Sequence, residues 1–143
     1  MYSGKDKQAS SDVTRTVVKQ YFDRIQSSAK PEAIAALFSE DVDWNIPGDV
    51  DLVSWIGRRK GRNGIADFIR DLREQDEPIR FEIHSIVVEG EKAVTLGEFA
   101  SRVKKTGKVI ESEFAIEFTV QDGLIARYRL FEDSFAVAQA VQG

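Results

Sequence analysis

Val13, Val17, Val18, Tyr21, Phe22 and Ile25 recur at three- and four-residue intervals. That spacing predicts an amphipathic helix over 13–28. Asp12 suits its N-cap, with Ser10 and Ser11 competing for the role. Pro31 suits the first turn of a second, short helix over 31–38, whose apolar positions are Ile34, Leu37 and Phe38. Residues 41–46 read as a short strand closed by Pro47-Gly48. The loop over 49–60 is longer than most connections, and Trp55 within it is either a lid residue or a plug on the core. Asn63 reads as the cap of a third helix over 64–74, with Ile65, Phe68, Ile69 and Leu72 on its inner stripe. From Pro78 onward the period changes to two. Phe81–Val88, Ala93–Val103, Val109–Val120 and Leu124–Glu132 read as four strands of an antiparallel meander. In the third, Glu111, Glu113 and Glu117 alternate with Ser112, Phe114, Ile116 and Phe118, so one face is buried and the other polar. A tail helix, Ser134–Val141, follows. The expected fold is α+β: three N-terminal helices on one face of a curved antiparallel sheet, enclosing a pocket.

The 143 residues suffice for one domain with a real core, read as 13–143 behind a disordered lead-in over 1–12. Cysteine is absent, which excludes disulfides, thiolate nucleophiles and cysteine-type zinc sites. The formal charge of −4, with both signs interspersed, argues against a dedicated nucleic-acid binder. Arg58, Arg59, Lys60 and Arg62 form a local basic cluster, either a solvated loop or an anion contact. No apolar run reaches the roughly 20 residues of a membrane span. Residues 1–12 lack the apolar stretch of a signal peptide, and the absence of cysteine suits the expected cytoplasmic location. Gly61-Arg62-Asn63-Gly64 is too short for a phosphate-binding loop and lacks its Lys-Ser/Thr ending.

Four segments carry a family likeness: Val17-Val18-Lys19-Gln20-Tyr21, Ala36-Leu37-Phe38-Ser39-Glu40-Asp41, Gly61–Phe68, and Asp122-Gly123-Leu124-Ile125 with Phe131-Glu132-Asp133. In their order and spacing they resemble the nuclear transport factor 2-like superfamily, and within it the SnoaL-like and ketosteroid-isomerase-like proteins. The resemblance spans about 13–141. It implies a cone whose helices and curved sheet enclose an apolar pocket, a homodimer through the outer sheet face, and a small apolar ligand. The superfamily holds isomerases, cyclases, epoxide hydrolases, dehydratases and non-catalytic binding domains, so activity must be argued from the site. Carried over from the ketosteroid isomerases, the enolate-stabilising tyrosine falls on Tyr21, the base on Asn45 and the second acid near Phe114. An amide cannot take a carbon-bound proton. Carried over from the limonene epoxide hydrolases, Asn45-Ile46-Pro47 resembles the asparagine segment. The Arg and Asp positions of that group fall near Gly97 and Phe99, and its last aspartate, like the acid of the SnoaL cyclases, near Leu130. Each set is incomplete, and a one-residue slip would bring Glu98, Glu132 or Asp133 into play.

The residues themselves leave alternatives. Asp43 and Asn45 share one strand face. If that face looks inward, Asp43 is a base and Asn45 its water or carbonyl partner. If Trp44 looks inward, it is a pocket wall and Asp43 meets solvent. Glu98 lies in the apolar run Leu96–Ala100, where burial would raise its pKa, or it points outward by alternation. His84, the sole histidine, shares a face with Glu82, Ile86 and Val88 by strict alternation and reads as structural or exposed. Arg127 and Arg129 line the sheet exterior or bind a carboxylate inside the cone. Asp133 is an N-cap or an acid. The expected activity is cofactor-free and metal-free: proton transfer, cyclisation or water addition on an apolar, cyclic or carbonyl-bearing substrate. Tyr21, Asn45 and one of Asp43, Glu98 or Asp133 would act, with Trp44, Trp55, Phe68, Phe99, Phe114 and Phe131 as walls. The alternative is a non-catalytic ligand-binding or dimerisation domain.

Overall fold

Burial alternates strictly at the start of the fourth strand: Ala93, Thr95 and Gly97 are buried, while Val94 and Leu96 are exposed. Such a strand has one face on a core and one on solvent, and the sheet is built from strands of this kind. The computed structural model describes residues 4–143. In chain order the elements are α1 (Gly4–Gln26), α2 (Pro31–Ala35), β1 (Phe38–Ile46), β2 (Gly57–Arg59), α3 (Gly61–Gln75), β3 (Asp76–Glu89), β4 (Lys92–Val103), β5 (Val109–Gln121), β6 (Leu124–Glu132) and α4 (Ser134–Val141). Six strands form one sheet in the order β2-β1-β6-β5-β4-β3. It curves around the helices as an open α+β cone, with α1 against β3–β5 and α3 against β1 and α2. The meander is antiparallel as expected, but β1 runs parallel to β6, so the sheet is mixed.

Several boundaries move. Residues 4–12, expected to be disordered, continue α1, and Asp12 lies within the helix rather than at its cap; residues 1–3 fall outside the described part. The extra turns are tied down from the far side of the fold. Thr14 Oγ1 donates to the Gly90 carbonyl at 2.7 Å, and the Gly90 N–H donates to Ser11 Oγ at 2.8 Å. Asn63 lies inside the first turn of α3, whose cap position is Lys60. Phe38 belongs to β1 rather than α2, and β3 begins at Asp76, directly off α3.

The core is aromatic and closely packed. The Trp44 ring lies parallel to Tyr128, with centroids 3.9 Å apart, and touches Phe68 at 4.9 Å. Tyr21 meets Phe22, Phe38, Phe118 and Tyr128 edge-on, the arrangement the ring quadrupoles favour. Trp55 is buried with this cluster, so it plugs the core. Gly97 permits one close approach: a Cβ there would stand 2.6 Å from Phe114 Cζ and 2.3 Å from the Glu82 carbonyl oxygen.

Candidate functional site

Carboxylates on the inner side of the sheet are the first chemistry to examine, because burial disfavours their charged form. The register sets Glu132 of β6 opposite Phe114, and Phe114 opposite Gly97, so Glu132 prolongs the inward row Tyr128, Leu130. Burial pushes the Glu132 carboxyl up to about 7, and the charges of Asp76 and Asp133 add to the effect. Asp76 stands where α3 ends and β3 begins; its N–H caps the helix by donating to the Leu72 carbonyl. Its side chain is buried, and Oδ1 has no hydrogen-bond partner. Burial lifts its carboxyl to about 7 as well, with Asp71 adding and Lys104 opposing. Two inner carboxyls therefore exchange protons near neutrality, the range useful to a general acid or base.

Deeper in the cone, the Tyr21 and Tyr128 hydroxyls share a 3.0 Å hydrogen bond. Burial raises the pKa of both, and Glu132 contributes to the rise at Tyr128. Both phenols therefore stay protonated. In such a pair one hydroxyl donates to the other, and the acceptor keeps its own proton free to donate. Trp44 Nε1, Thr95 Oγ1 and Ser101 Oγ are further buried polar atoms without a partner. Most buried polar groups are satisfied, so these inner atoms stand out from the rest of the core.

The residues expected to do chemistry are not brought together. Tyr21 is inside. Trp44 is also inside, so by alternation Asp43 and Asn45 face outward. There Asp43 Oδ1 accepts from Arg129 at 2.8 Å and Oδ2 from Arg127 at 3.0 Å, with Arg58 at 3.4 Å. The Arg129 hydrogen bond is the main cause holding the Asp43 carboxyl below its usual range. Asp43 is thus committed to the exterior ion network, where Arg127 also donates to Glu117 at 2.7 Å. Asn45 pairs across the sheet with Arg58 and Arg129. Glu98 points outward beside Arg80 and His84. Asp133 caps α4, its Oδ1 accepting from the Ala136 N–H at 3.0 Å. Among the expected walls, Trp44, Trp55, Phe68 and Phe114 are buried and Phe99 is partly buried, whereas Phe131 is 49% exposed and faces outward. The three arginines of the basic cluster are internally answered: Arg58 by Asp43, Arg59 by Asp71 at 3.5 Å, and Arg62 by the Phe38 carbonyl at 2.8 Å.

Sequence reading missed Asp76 altogether. The run Gln75-Asp76-Glu77-Pro78 looks like a solvated turn, and nothing local announces its burial. Glu132 did carry a signal: it continues the alternation of Tyr128 and Leu130.

Residues 18–128 match the family model described as a SnoaL-like domain. No curated protein matches the sequence. Among solved structures, an NTF2-like protein from Burkholderia xenovorans LB400 superposes with a TM-score of 0.83 at 24% identity, covering 92% of this chain and 98% of that one. TerC, co-crystallised with polyporic acid, gives 0.78 at 18% identity, with 92% and 99% covered. An LEH-like epoxide hydrolase from M. tuberculosis gives 0.70 at 17%, with 92% and 90% covered. At these identities the likeness establishes the fold alone. Among the described residues, no helix is long and apolar enough to cross a membrane.

Proposed function

The chain belongs to the SnoaL-like domain family, and from that footing we propose a cofactor-free acid–base enzyme acting on a small, largely apolar carbonyl compound at the inner face of the cone. The observation that carries this reading is the pair of inner carboxyls, Glu132 and Asp76, each lifted to about 7. A carboxylate of ordinary pKa is a weak base, whereas one poised near the working pH combines useful basicity with a substantial ionised fraction. Ionised Glu132 takes the proton from the carbon beside the carbonyl. The C–H electron pair becomes the carbon–carbon double bond of the enolate, the carbonyl π bond breaks, and the negative charge settles on oxygen. A free tyrosine proton of the Tyr21–Tyr128 pair donates to that oxygen. The protonated carboxyl then returns a proton to carbon, and the position it chooses decides whether the product is an isomer. Apolar walls from Trp44, Phe68, Phe99 and Phe114 suit a cyclic substrate. The fold neighbour crystallised with polyporic acid and the neighbour described as an epoxide hydrolase lend support for small organic ligands.

The test is hydrogen–deuterium exchange at carbon, followed by NMR in heavy water with cyclohexenone and tetralone as probes. The wild-type protein should accelerate exchange, and Glu132→Gln should lower the rate by ~10²-fold or more. Equal rates for wild type, Glu132→Gln and Asp76→Asn would refute the reading and leave a ligand-binding or association domain. A specific observation also favours association. Leu96, Ala115 and Phe131 form one outward cross-strand row, with Leu96 43% and Phe131 49% exposed. A homodimer through this outer face would cover the row. Sedimentation velocity across a concentration series tests it, and Phe131→Ser should weaken any dimer seen.

A further inference from the structure

The outer face of the β3–β4 ladder carries a set of donor atoms beside a β-bulge. Ile83 pairs with Gly97 and Ser85 with Leu96, so His84 has no partner across the ladder. Ile83, Ile86 and Val88 pack inward, while His84 stays exposed on the side of Glu82. The bulge thus separates His84 from Ile86 and Val88, with which alternation grouped it. Bulges re-aim single side chains in this way. Glu98 of β4 lies directly opposite Glu82. His84 Nε2 stands 3.6 Å from Glu98 Oε2 and 3.8 Å from Glu82 Oε2. One donor atom from each of the three residues lies within 4.8 Å of the others.

These gaps are too long for hydrogen bonds, and they approach the separation of ligands that share one ion. Ligands about 2.1 Å from a tetrahedral zinc stand ~3.4 Å apart. Exposed side chains close the remaining few tenths of an ångström by small rotations. Glu98 is oriented from behind: its other oxygen, Oε1, faces Arg80 Nε at 3.7 Å, leaving Oε2 toward the imidazole. Outer-shell partners of this kind hold ligating carboxylates in place.

Charge gives an independent reason. Glu82, Glu98 and Glu113 stand side by side across β3, β4 and β5. Like charges directly opposite one another destabilise a sheet. Elsewhere on this face carboxylates are answered by arginines, as Asp43 is by three. Here Arg80 is the one arginine paired with the row among the described residues. A depression of about 530 Å³, lined by Glu98, Glu111, Glu113 and Asp133 along with Arg80 and Ser112, adjoins it. The stripe carries more negative charge than its cations balance.

We propose that Glu82, His84 and Glu98 bind one divalent transition-metal ion on the outer face of the β3–β4 ladder. One imidazole nitrogen and two carboxylate oxygens suit zinc, cobalt, nickel or copper; calcium and magnesium prefer all-oxygen shells. Three protein ligands leave at least one position open to water.

The experiment uses the full, untagged chain. Zinc is titrated calorimetrically, with calcium and magnesium as controls, and the ring signals of His84 are followed by NMR. His84 is the sole histidine, so those signals are unambiguous. The expected result is one zinc per chain, movement of the His84 signals in step with the heat, and ~10-fold or greater weakening in both His84→Ala and Glu98→Gln. Both sites are surface positions, and circular dichroism confirms that the variants fold. Calcium binding as tightly as zinc, zinc binding unchanged in His84→Ala, or no zinc binding at millimolar concentration each overturns the proposal.

Discussion

Asp76→Asn should stabilise this protein most above pH 7 and progressively less as pH falls toward 4. The folded protein holds the Asp76 proton to about 7, against an ordinary value of 3.8. Between those two values the unfolded chain is ionised while the folded chain is protonated. The folded state therefore binds more protons, and stability falls as pH rises. The loss is complete once pH passes the folded value. At about 1.4 kcal/mol per tenfold change in proton affinity, the full difference is ~4 kcal/mol. Glu132, raised from 4.5 to about 7, contributes ~3 kcal/mol in the same direction. The two groups interact, so their protons leave in two steps that belong to the pair, and the two figures are not to be summed. Asp43 does not interfere. Its carboxyl is held below 3.8, so its contribution is present above that value and lost only in stronger acid. Urea unfolding of wild type and Asp76→Asn, from about pH 5 to about pH 9, measures the effect. Wild-type stability should fall by several kcal/mol across that range, and the variant should show a visibly flatter profile. Near pH 8 the variant should be the more stable by ~2–4 kcal/mol. A wild-type profile that rises between pH 5 and 8, or a variant with the same slope as wild type, would refute the argument that burial dominates at Asp76.

Three further outcomes are expected. Tyr21→Phe leaves the buried Tyr128 hydroxyl without its partner and should cost ~1–3 kcal/mol, while the double variant with Tyr128→Phe should cost less than the two single changes together, as a double-mutant cycle would read. Gly97→Ala places a methyl 2.3 Å from the Glu82 carbonyl oxygen and 2.6 Å from the Phe114 ring; neither can yield cheaply, so a loss of ~1–3 kcal/mol in thermal or urea unfolding is expected. Asp43→Ala strips Arg129, only 7% exposed, of its carboxylate and should cost ~1–2 kcal/mol, the half-exposed Asp43 side chain holding the figure down; a change below ~0.5 kcal/mol would mean that Arg129 re-pairs without loss.

Periodicity determines the elements of this protein, because burying one face imposes a 3.6-residue repeat on helices and a 2-residue repeat on strands. The α1 stripe Val17, Val18, Tyr21 and Phe22 and the alternation of β5 were therefore legible without coordinates, as was the α+β class. So was the capping option for Asp133, since its chemistry is local. Long-range pairing is not encoded in any local repeat. The helical turns over 4–12 are polar, and Ser11 and Thr14 tie them to Gly90, far along the chain. The parallel pairing of β1 with β6 assembles Asp43, Arg127 and Arg129 from distant segments. The bulge at His84 puts Ile86 and Val88 on the opposite face from His84, with which alternation grouped them. Asp76 is buried only because the curved sheet and α3 close around a junction whose own residues are all polar or acidic. Desolvation is a property of that enclosure and not of the residue. The proton affinities on which the candidate chemistry rests were thus decided by the tertiary structure alone.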